Sequence, residues 1–221
     1  WLRSHKDRNT FVYLPVVDPH GPYDPPPPYD EPYHQLKDDG KHPLGHDDSL
    51  DASYVKSPSR QSRKTLYDGE NRHNDEVLRK FFAQMQAEGL FDDTLFILTA
   101  DHGEYFGEHG LWGHRPPGHV QVTGVPLILF HKQKIPQPRR IEEPVQLLDV
   151  MPTILDFASV DTSGLAMQGD SLVALIEGRN PGYWKSRVIA SEEVTTRDRA
   201  NDWRNRGLRV HGSLYYGDWH F

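Results

Sequence analysis

The sequence predicts an α/β chain: a mostly parallel sheet flanked by helices, followed by the start of a small antiparallel subdomain. Three observations predict it. A clear amphipathic helix pattern over residues 63–88 feeds directly into a short apolar, β-prone run at 95–99, which makes an αβ unit. Apolar runs at 11–17 and 95–99 both end in an acid and an imidazole beside glycine, which suits an α/β site, where ligands sit beyond the carboxyl ends of strands. Near the end of the chain, residues 187–191 and 208–216 read as strands of a separate antiparallel element. The organisation that follows is a core over 1–180 and a small subdomain over 181–221 that is incomplete at Phe221.

Each element has its own local reason. Residues 11–17 (FVYLPVV) are apolar and β-prone, with Pro15 pointing to an edge or a distortion. The run ends in Asp18-Pro19-His20-Gly21-Pro22. Prolines 25–28 form a stiff polyproline-like piece, either a rim over a pocket or a plain connector. Residues 30–62 are rich in Asp, His, Lys, Ser and Pro and lack periodicity, so they read as a long loop or insertion shaping a substrate mouth. His34, His42 and His46 are too loosely spaced for a ligand set and read as solvated surface.

In the helix, Leu78, Phe81, Phe82 and Met85 recur every three or four residues and make one apolar stripe. Asp75 and Glu76 fall on its polar face. Gly89 stands where a left-handed C-terminal cap belongs. After the strand at 95–99, Gly103, Gly107, Gly110 and Gly113 interrupt any regular element, so 100–114 is a loop. Residues 115–118 turn the chain into a second buried strand at 126–130. Residues 131–143 are a connector, basic and then acidic. Asp149 is placed to cap a helix carrying Val150, Ile154, Leu155 and Phe157, with Pro152 in its first turn. Leu172, Leu175 and Ile176 mark a shorter helix ended by Gly178. The antiparallel element is expected to turn at His211-Gly212.

Composition narrows the function. The 221 residues carry a formal net charge of −7, which gives no basic footprint for nucleic acid. There is no cysteine, so these residues hold no disulfide, thiolate metal site or Cys nucleophile. No apolar run approaches the ~20 residues that span a bilayer. The chain begins at Trp1 with a strand almost at once and reads as a fragment whose start lies elsewhere.

The chemistry concentrates at 95–114, LFILTADHGEYFGEHGLWGH. A turn just past the strand can bring Asp101 and His102 to one cation, since a carboxylate oxygen and a neutral imidazole nitrogen are ordinary ligands for a divalent ion. His109 and His114 follow in the same loop, beside Glu104 and Glu108. The residues alone leave open a metal site or an oxyanion site.

The run TADHGEYFGEHGLWGH resembles the second metal-binding signature of the sulfatases, in the alkaline-phosphatase superfamily. Three other stretches agree, in the family's order: VVDPHGPYDPPPPY (16–29), LYDGENRHNDEVLRKFF (66–82), and VPLILF (125–130) with PVQLLDVMPTILDFASV (144–160). The resemblance implies a partial alkaline-phosphatase-like fold and hydrolysis of small-molecule or carbohydrate sulfate esters. It implies Asp101 and His102 as metal ligands, Ca2+ first, with Mg2+, Mn2+ or Zn2+ as alternatives. It directs His20 at the sulfate and lets His114 contact the sulfate or protonate the leaving oxygen. It also implies a formylglycine nucleophile and two further acidic ligands from a preceding stretch, and an extracytoplasmic setting. Lys56-Ser57-Pro58-Ser59-Arg60 imitates the formylglycine motif, but Lys56 holds the reactive place and the run follows the His20 block, so it is a coincidence. The family's usual Tyr-Glu pair is replaced by His119-Val120. Two rivals follow: a phosphoryl-transfer enzyme of the same superfamily, with His114 on a second metal, and a non-catalytic remnant that keeps the fold.

Overall fold

The computed structural model describes residues 1–34, 59–114, 118–196, 208–216 and 219–220. Most of the 30–62 loop, with His42 and His46, lies outside them, as do Lys56 to Pro58 and the turn at 115–117. The chain divides into two compact units, residues 1–94 with 106–113, and residues 95–105 with 114–221.

The first unit is built on α2 (Ser59–Ala87), after a one-turn α1 (Glu31–His34). Helix α2 buries Leu66, Gly69, Glu70 and Met85, spaced so that they share one face. Gly69 admits the preceding strap. A Cβ there would stand 2.6 Å from the Tyr29 carbonyl oxygen and 2.9 Å from Pro25 Cγ. The proline piece therefore packs on the helix, and the ~1 kcal/mol helical penalty of glycine is accepted for that approach. Gly89 has φ +67. The Leu90 N–H donates to the Met85 carbonyl at 2.9 Å, closing the left-handed C-terminal cap expected from sequence. On the polar face, Glu76 takes both Arg79 Nε and Nη2 at 2.7 Å, and the Arg79 guanidinium holds its carboxyl down to about 2.

Residues 11–17 form no strand. They are exposed, Phe11 at 72% and Val17 at 76%. Pro15 supplies no N–H, and no ladder among the described residues takes up the rest.

The second unit carries the sheet. Its first strand is β1 (Phe96–Thr99); the minimal hairpin that follows in the chain, β2 (Tyr105–Phe106) and β3 (Trp112–Gly113) closed by a 3-10 turn at Glu108–Gly110, falls, from Phe106 on, in the first unit. Then come α3 (Val120–Thr123) and β4 (Leu127–Phe130). Strand β4 pairs with β1 antiparallel, from Phe96↔Phe130 to Thr99↔Leu127. The expectation of a mostly parallel sheet is not met: every strand pair registered among the described residues is antiparallel. The link 100–126 holds a hairpin and a single helical turn in place of a crossover helix, so the chain re-enters beside β1 in the opposite direction.

Helices α4 (Val150–Phe157), α5 (Val173–Ile176) and α6 (Pro181–Ser186) complete this unit's core. Leu172, Leu175 and Trp184 are its buried centre, with Leu127, Ile141 and Val145 packed against them. Asp149 does not cap α4 with its side chain. It is fully buried, and its carboxylate takes Arg187 through two 2.6 Å bonds while also accepting the Gln146 and Asp170 N–H groups at 2.9 Å. The Thr153 hydroxyl donates to the Asp149 carbonyl at 2.6 Å and accepts the Leu172 N–H at 2.9 Å, so one turn ties α4 to the start of α5. Sequence pattern placed an acid there correctly and its partner not at all, because Arg187 is remote in the chain.

Strand β5 (Val188–Thr196) pairs antiparallel with β6 (Leu208–Tyr216), and β6 with β7 (Trp219–His220). The turn expected at His211-Gly212 is corrected: Glu193↔His211 and Glu192↔Gly212 are rungs in mid-ladder. Pairing continues on both sides of the glycine, and the link between the strands is 197–207, outside the described residues.

Candidate functional site

The site is set by how β1 ends. Thr99 Oγ1 donates to the Pro126 carbonyl at 2.8 Å, fixing the ends of β1 and β4 side by side. Beyond Thr99 the chain leaves the sheet, and Gly103 brings it against α3. The Gly103 N–H donates to the Val122 carbonyl at 2.7 Å, and a Cβ on Gly103 would meet the Gln121 carbonyl oxygen at 2.1 Å. Only glycine allows that approach. Two residues on, Tyr105 is fully buried. Its hydroxyl shares a 2.8 Å hydrogen bond with His119 Nδ1 and accepts the His119 backbone N–H at 2.9 Å. The loop is thus anchored at Gly103 and Tyr105, and what lies between and beside them is presented outward. His119, met in sequence only as a departure from the family pattern, is part of this anchor.

Asp101 stands at the start of the loop with its side chain 90% exposed. Its Oδ1 accepts the His102 N–H at 3.0 Å, and its Oδ2 lies 3.9 Å from His102 Nε2. His102 Nδ1–H donates to the Gly103 carbonyl at 2.9 Å. That bond fixes the tautomer and turns the Nε2 lone pair outward, the usual way a second partner prepares an imidazole ligand. His114 lies over His102, with ring centroids 4.2 Å apart. Its Nδ1 is 3.3 Å from Glu104 Oε2.

His102, Glu104 and His114 each offer one ligand atom, all within 4.8 Å of one another. No other group of three or more such residues occurs among the described residues. Asp101, His102 and His114, picked out from sequence, therefore sit on one loop end. Glu104, seen in sequence only as a neighbour of the histidines, is the third member of the cluster. The signal was its position two residues after His102, too common to stand alone. Glu108 serves the backbone instead. Its Oε2 accepts the Phe106 N–H at 2.7 Å and closes the hairpin.

His20 belongs to the first unit. Its ring Nδ1–H donates to the Gly21 carbonyl at 2.7 Å. The strap that carries it is held by α2 at two points one helical turn apart. Asn74 Nδ2 donates to the Asp18 carbonyl at 2.8 Å, and Glu70 Oε1 accepts the Asp24 N–H at 2.6 Å. Glu70 is 3% exposed, and its Oε2 has no hydrogen-bond partner. Burial pushes its carboxyl above the ordinary 4.5; Asp18 and Asp24 add to the rise, against the pull of the Asp24 amide and of His20. Sequence reasoning missed both holders, since a helix pattern shows which face is apolar and not which polar side chain reaches another segment.

Comparison with known proteins identifies the family. The family model described as Sulfatase matches residues 1–160. The chain belongs to the sulfatase family. An arylsulfatase of Clostridium perfringens is 27% identical to this sulfatase chain over 202 residues, 84% of the chain and 41% of the relative. The multifunctional alkaline phosphatase superfamily protein PehA of Trinickia caryophylli is 34% identical over 130 residues, 58% of the chain and 25% of the relative. Among solved structures, a phosphonate monoester hydrolase from Silicibacter pomeroyi superposes with a TM-score of 0.59 at 24% identity, over 72% of the chain and 34% of the neighbour. The sulfatase chain thus spans between a quarter and about two fifths of the length of these three proteins, and its fold is similar to that of the phosphonate monoester hydrolase. No helix among the described residues is long and apolar enough to cross a membrane.

The donor chemistry of the loop can be set against the ion the family resemblance puts first. Ca2+ takes six to eight oxygens. Here two of the three clustered donors are imidazole nitrogens, and the carboxylates at hand are those of Glu104 and Asp101. These donors suit a divalent ion.

Proposed function

We propose that the protein to which these residues belong is a metal-dependent sulfuric ester hydrolase. Asp101 and His102 hold the divalent metal, and His20 and His114 address the sulfate. The observation that carries this reading is the gathering of His102, Glu104 and His114 beside Asp101 at the end of β1, in a chain of the sulfatase family. A metal bound there draws charge from the sulfate oxygens. The residues of this chain do the rest of their share by position. The Gly103 and Tyr105 anchors hold the loop in one shape, so the donors need no reorganisation when the ester arrives. His102 keeps one nitrogen outward. His20 and His114 supply N–H donors for sulfate oxygens, and an imidazole is suited to pass a proton to the departing alkoxide near neutrality.

The nucleophile and the remaining acidic ligands come, on this reading, from outside residues 1–221, as formylglycine and paired aspartates. Residues 1–221 alone are then inactive. The test uses the full-length protein with an aryl sulfate. Asp101→Ala is expected to lower kcat/KM at least about a hundredfold, with the circular dichroism unchanged. Turnover of aryl sulfate by purified residues 1–221 would refute the division of the site.

A phosphoryl-transfer reading of the same site draws on the likeness to PehA and on Gly113-His114-Arg115-Pro116. Comparing kcat/KM for an aryl sulfate and an aryl phosphonate monoester decides between them. A ratio above one supports the sulfatase reading, and a ratio below one the other. A full-length protein that binds no metal and turns over neither ester would be a non-catalytic remnant.

A further inference from the structure

We propose that Glu70 and Asn74 of α2 are positioning residues for His20: they grip the strap on either side of it and fix where its imidazole meets the sulfate. The inference rests on the reading that His20 addresses the sulfate, and it adds what holds the ring in place.

Four contacts bind the strap to α2. Asn74 Nδ2 donates to the Asp18 carbonyl at 2.8 Å, and Glu70 Oε1 accepts the Asp24 N–H at 2.6 Å. The Tyr67 ring meets Tyr23 edge-on, with centroids 5.5 Å apart. Pro25 closes over Gly69, where a Cβ would stand 2.9 Å from its Cγ. The two hydrogen bonds start from helix positions four apart, about 6 Å along the axis. The six residue steps from Asp18 to Asp24 could reach ~20 Å if extended. The segment between the grips is therefore an arch, and His20 lies on it. Pro19 and Pro22 stiffen the arch on both sides of His20 by fixing φ. His20 itself is exposed, and a Cβ on Gly21 would meet nothing within 4 Å. Packing does not hold the arch at that point, so its position comes from its two ends. The ring is turned by its own Nδ1–H, which donates to the Gly21 carbonyl at 2.7 Å and leaves Nε2 for a ligand.

Glu70 is poorly explained as packing. It is 3% exposed, and its Oε2 has no hydrogen-bond partner. A carboxyl buried with one oxygen unpaired costs stability. What it achieves is the short bond to the Asp24 N–H, the grip that closes the arch. A donor misplaced by about 1 Å can cost a reaction about a hundredfold, so a grip remote from the sulfate still reaches the rate.

The hold is read first without turnover. In the 221-residue chain the His20 Cε1–Hε1 NMR cross peak should move or split in Glu70→Ala and in Asn74→Asp, which is nearly isosteric but no longer donates to the Asp18 carbonyl. It should stay in place in Glu70→Gln, which keeps an acceptor for the Asp24 N–H. A peak unmoved in Asn74→Asp and Glu70→Ala would overturn the proposal. The consequence is read in the full-length protein with an aryl sulfate, below the melting temperature of every variant. Glu70→Ala and Asn74→Asp should each lower kcat/KM at least about tenfold, and Glu70→Gln should stay within about threefold of wild type. In a His20→Ala background the same two substitutions should cost less than about twofold, because the arch has no imidazole left to place. Equal losses in both backgrounds would mean a merely structural role and would overturn the proposal. If Glu70→Ala fails to fold, Asn74→Asp and Glu70→Gln decide alone. If His20→Ala leaves kcat/KM unchanged, this inference falls together with the role of His20, while the metal ligands, tested at Asp101, stand.

Discussion

Asp149 and Asp101 are the same side chain put to opposite uses. Asp149 is fully buried and receives the two Arg187 bonds and two backbone N–H groups. Asp101 is 90% exposed and receives one N–H from its own neighbour. A carboxylate accepts about four hydrogen bonds, so the first is saturated and the second has capacity left. Around Asp149 the chain has satisfied its polar groups internally, and the result is a joint between α4, α5 and the start of β5. Around Asp101, His102, Glu104 and His114 the loop is held at Gly103 and Tyr105, and Asp101, His102 and His114 stay open to solvent while Glu104 is more sheltered. Saturation marks structure, and reserve capacity marks a site.

The comparison breaks first at the joint. Arg187→Ala leaves the Asp149 carboxylate buried and uncompensated, and should cost about 3–5 kcal/mol, read as a lower urea midpoint. A loss under about 1 kcal/mol would mean that Asp149 is not saturated by Arg187 in solution. Gly103→Ala comes next. Its Cβ collides with the Gln121 carbonyl, so a cost of about 1–3 kcal/mol in thermal melting is expected, with weaker metal binding as the loop is pushed off α3.

Glu70 sharpens the contrast, since it is buried like Asp149 yet only half satisfied. Its folded pKa is raised above 4.5. Between those two values the folded state holds more protons than the unfolded, so this group lowers stability as pH rises through the window. Glu70→Gln keeps an acceptor for the Asp24 N–H and should remove that slope. Glu70→Ala should release the strap at a cost of about 1–3 kcal/mol. Equal pH slopes for wild type and Glu70→Gln would show that the carboxyl is not responsible. The smallest effect on stability is expected at the site itself. His102→Ala should change folding by no more than about 0.5 kcal/mol while abolishing the metal-induced rise in melting temperature.

These pairs explain what could be read from the chain beforehand. Helix α2, β1, β4 and α4 were legible because each is written in local periodicity. Asp101, His102 and His114 were legible because they cluster within one loop. The antiparallel β1–β4 pairing was not, because strand direction depends on the path of 100–126. Arg187 opposite Asp149, and Glu70 and Asn74 on the strap, were hidden for the same reason: each contact joins residues far apart in sequence. His211-Gly212 misled because glycine in a ladder carries the same mark as glycine in a turn.

The exposed run at 11–17 bears on how the chain behaves at high concentration. Phe-Val-Tyr-Leu and Val-Val are sticky ribbons, but Pro15 divides them into pieces shorter than the six or seven residues that stack into fibrils. One imino acid thus works as a gatekeeper against self-assembly, and replacing it with valine should turn a clear preparation into one that nucleates thioflavin-positive filaments.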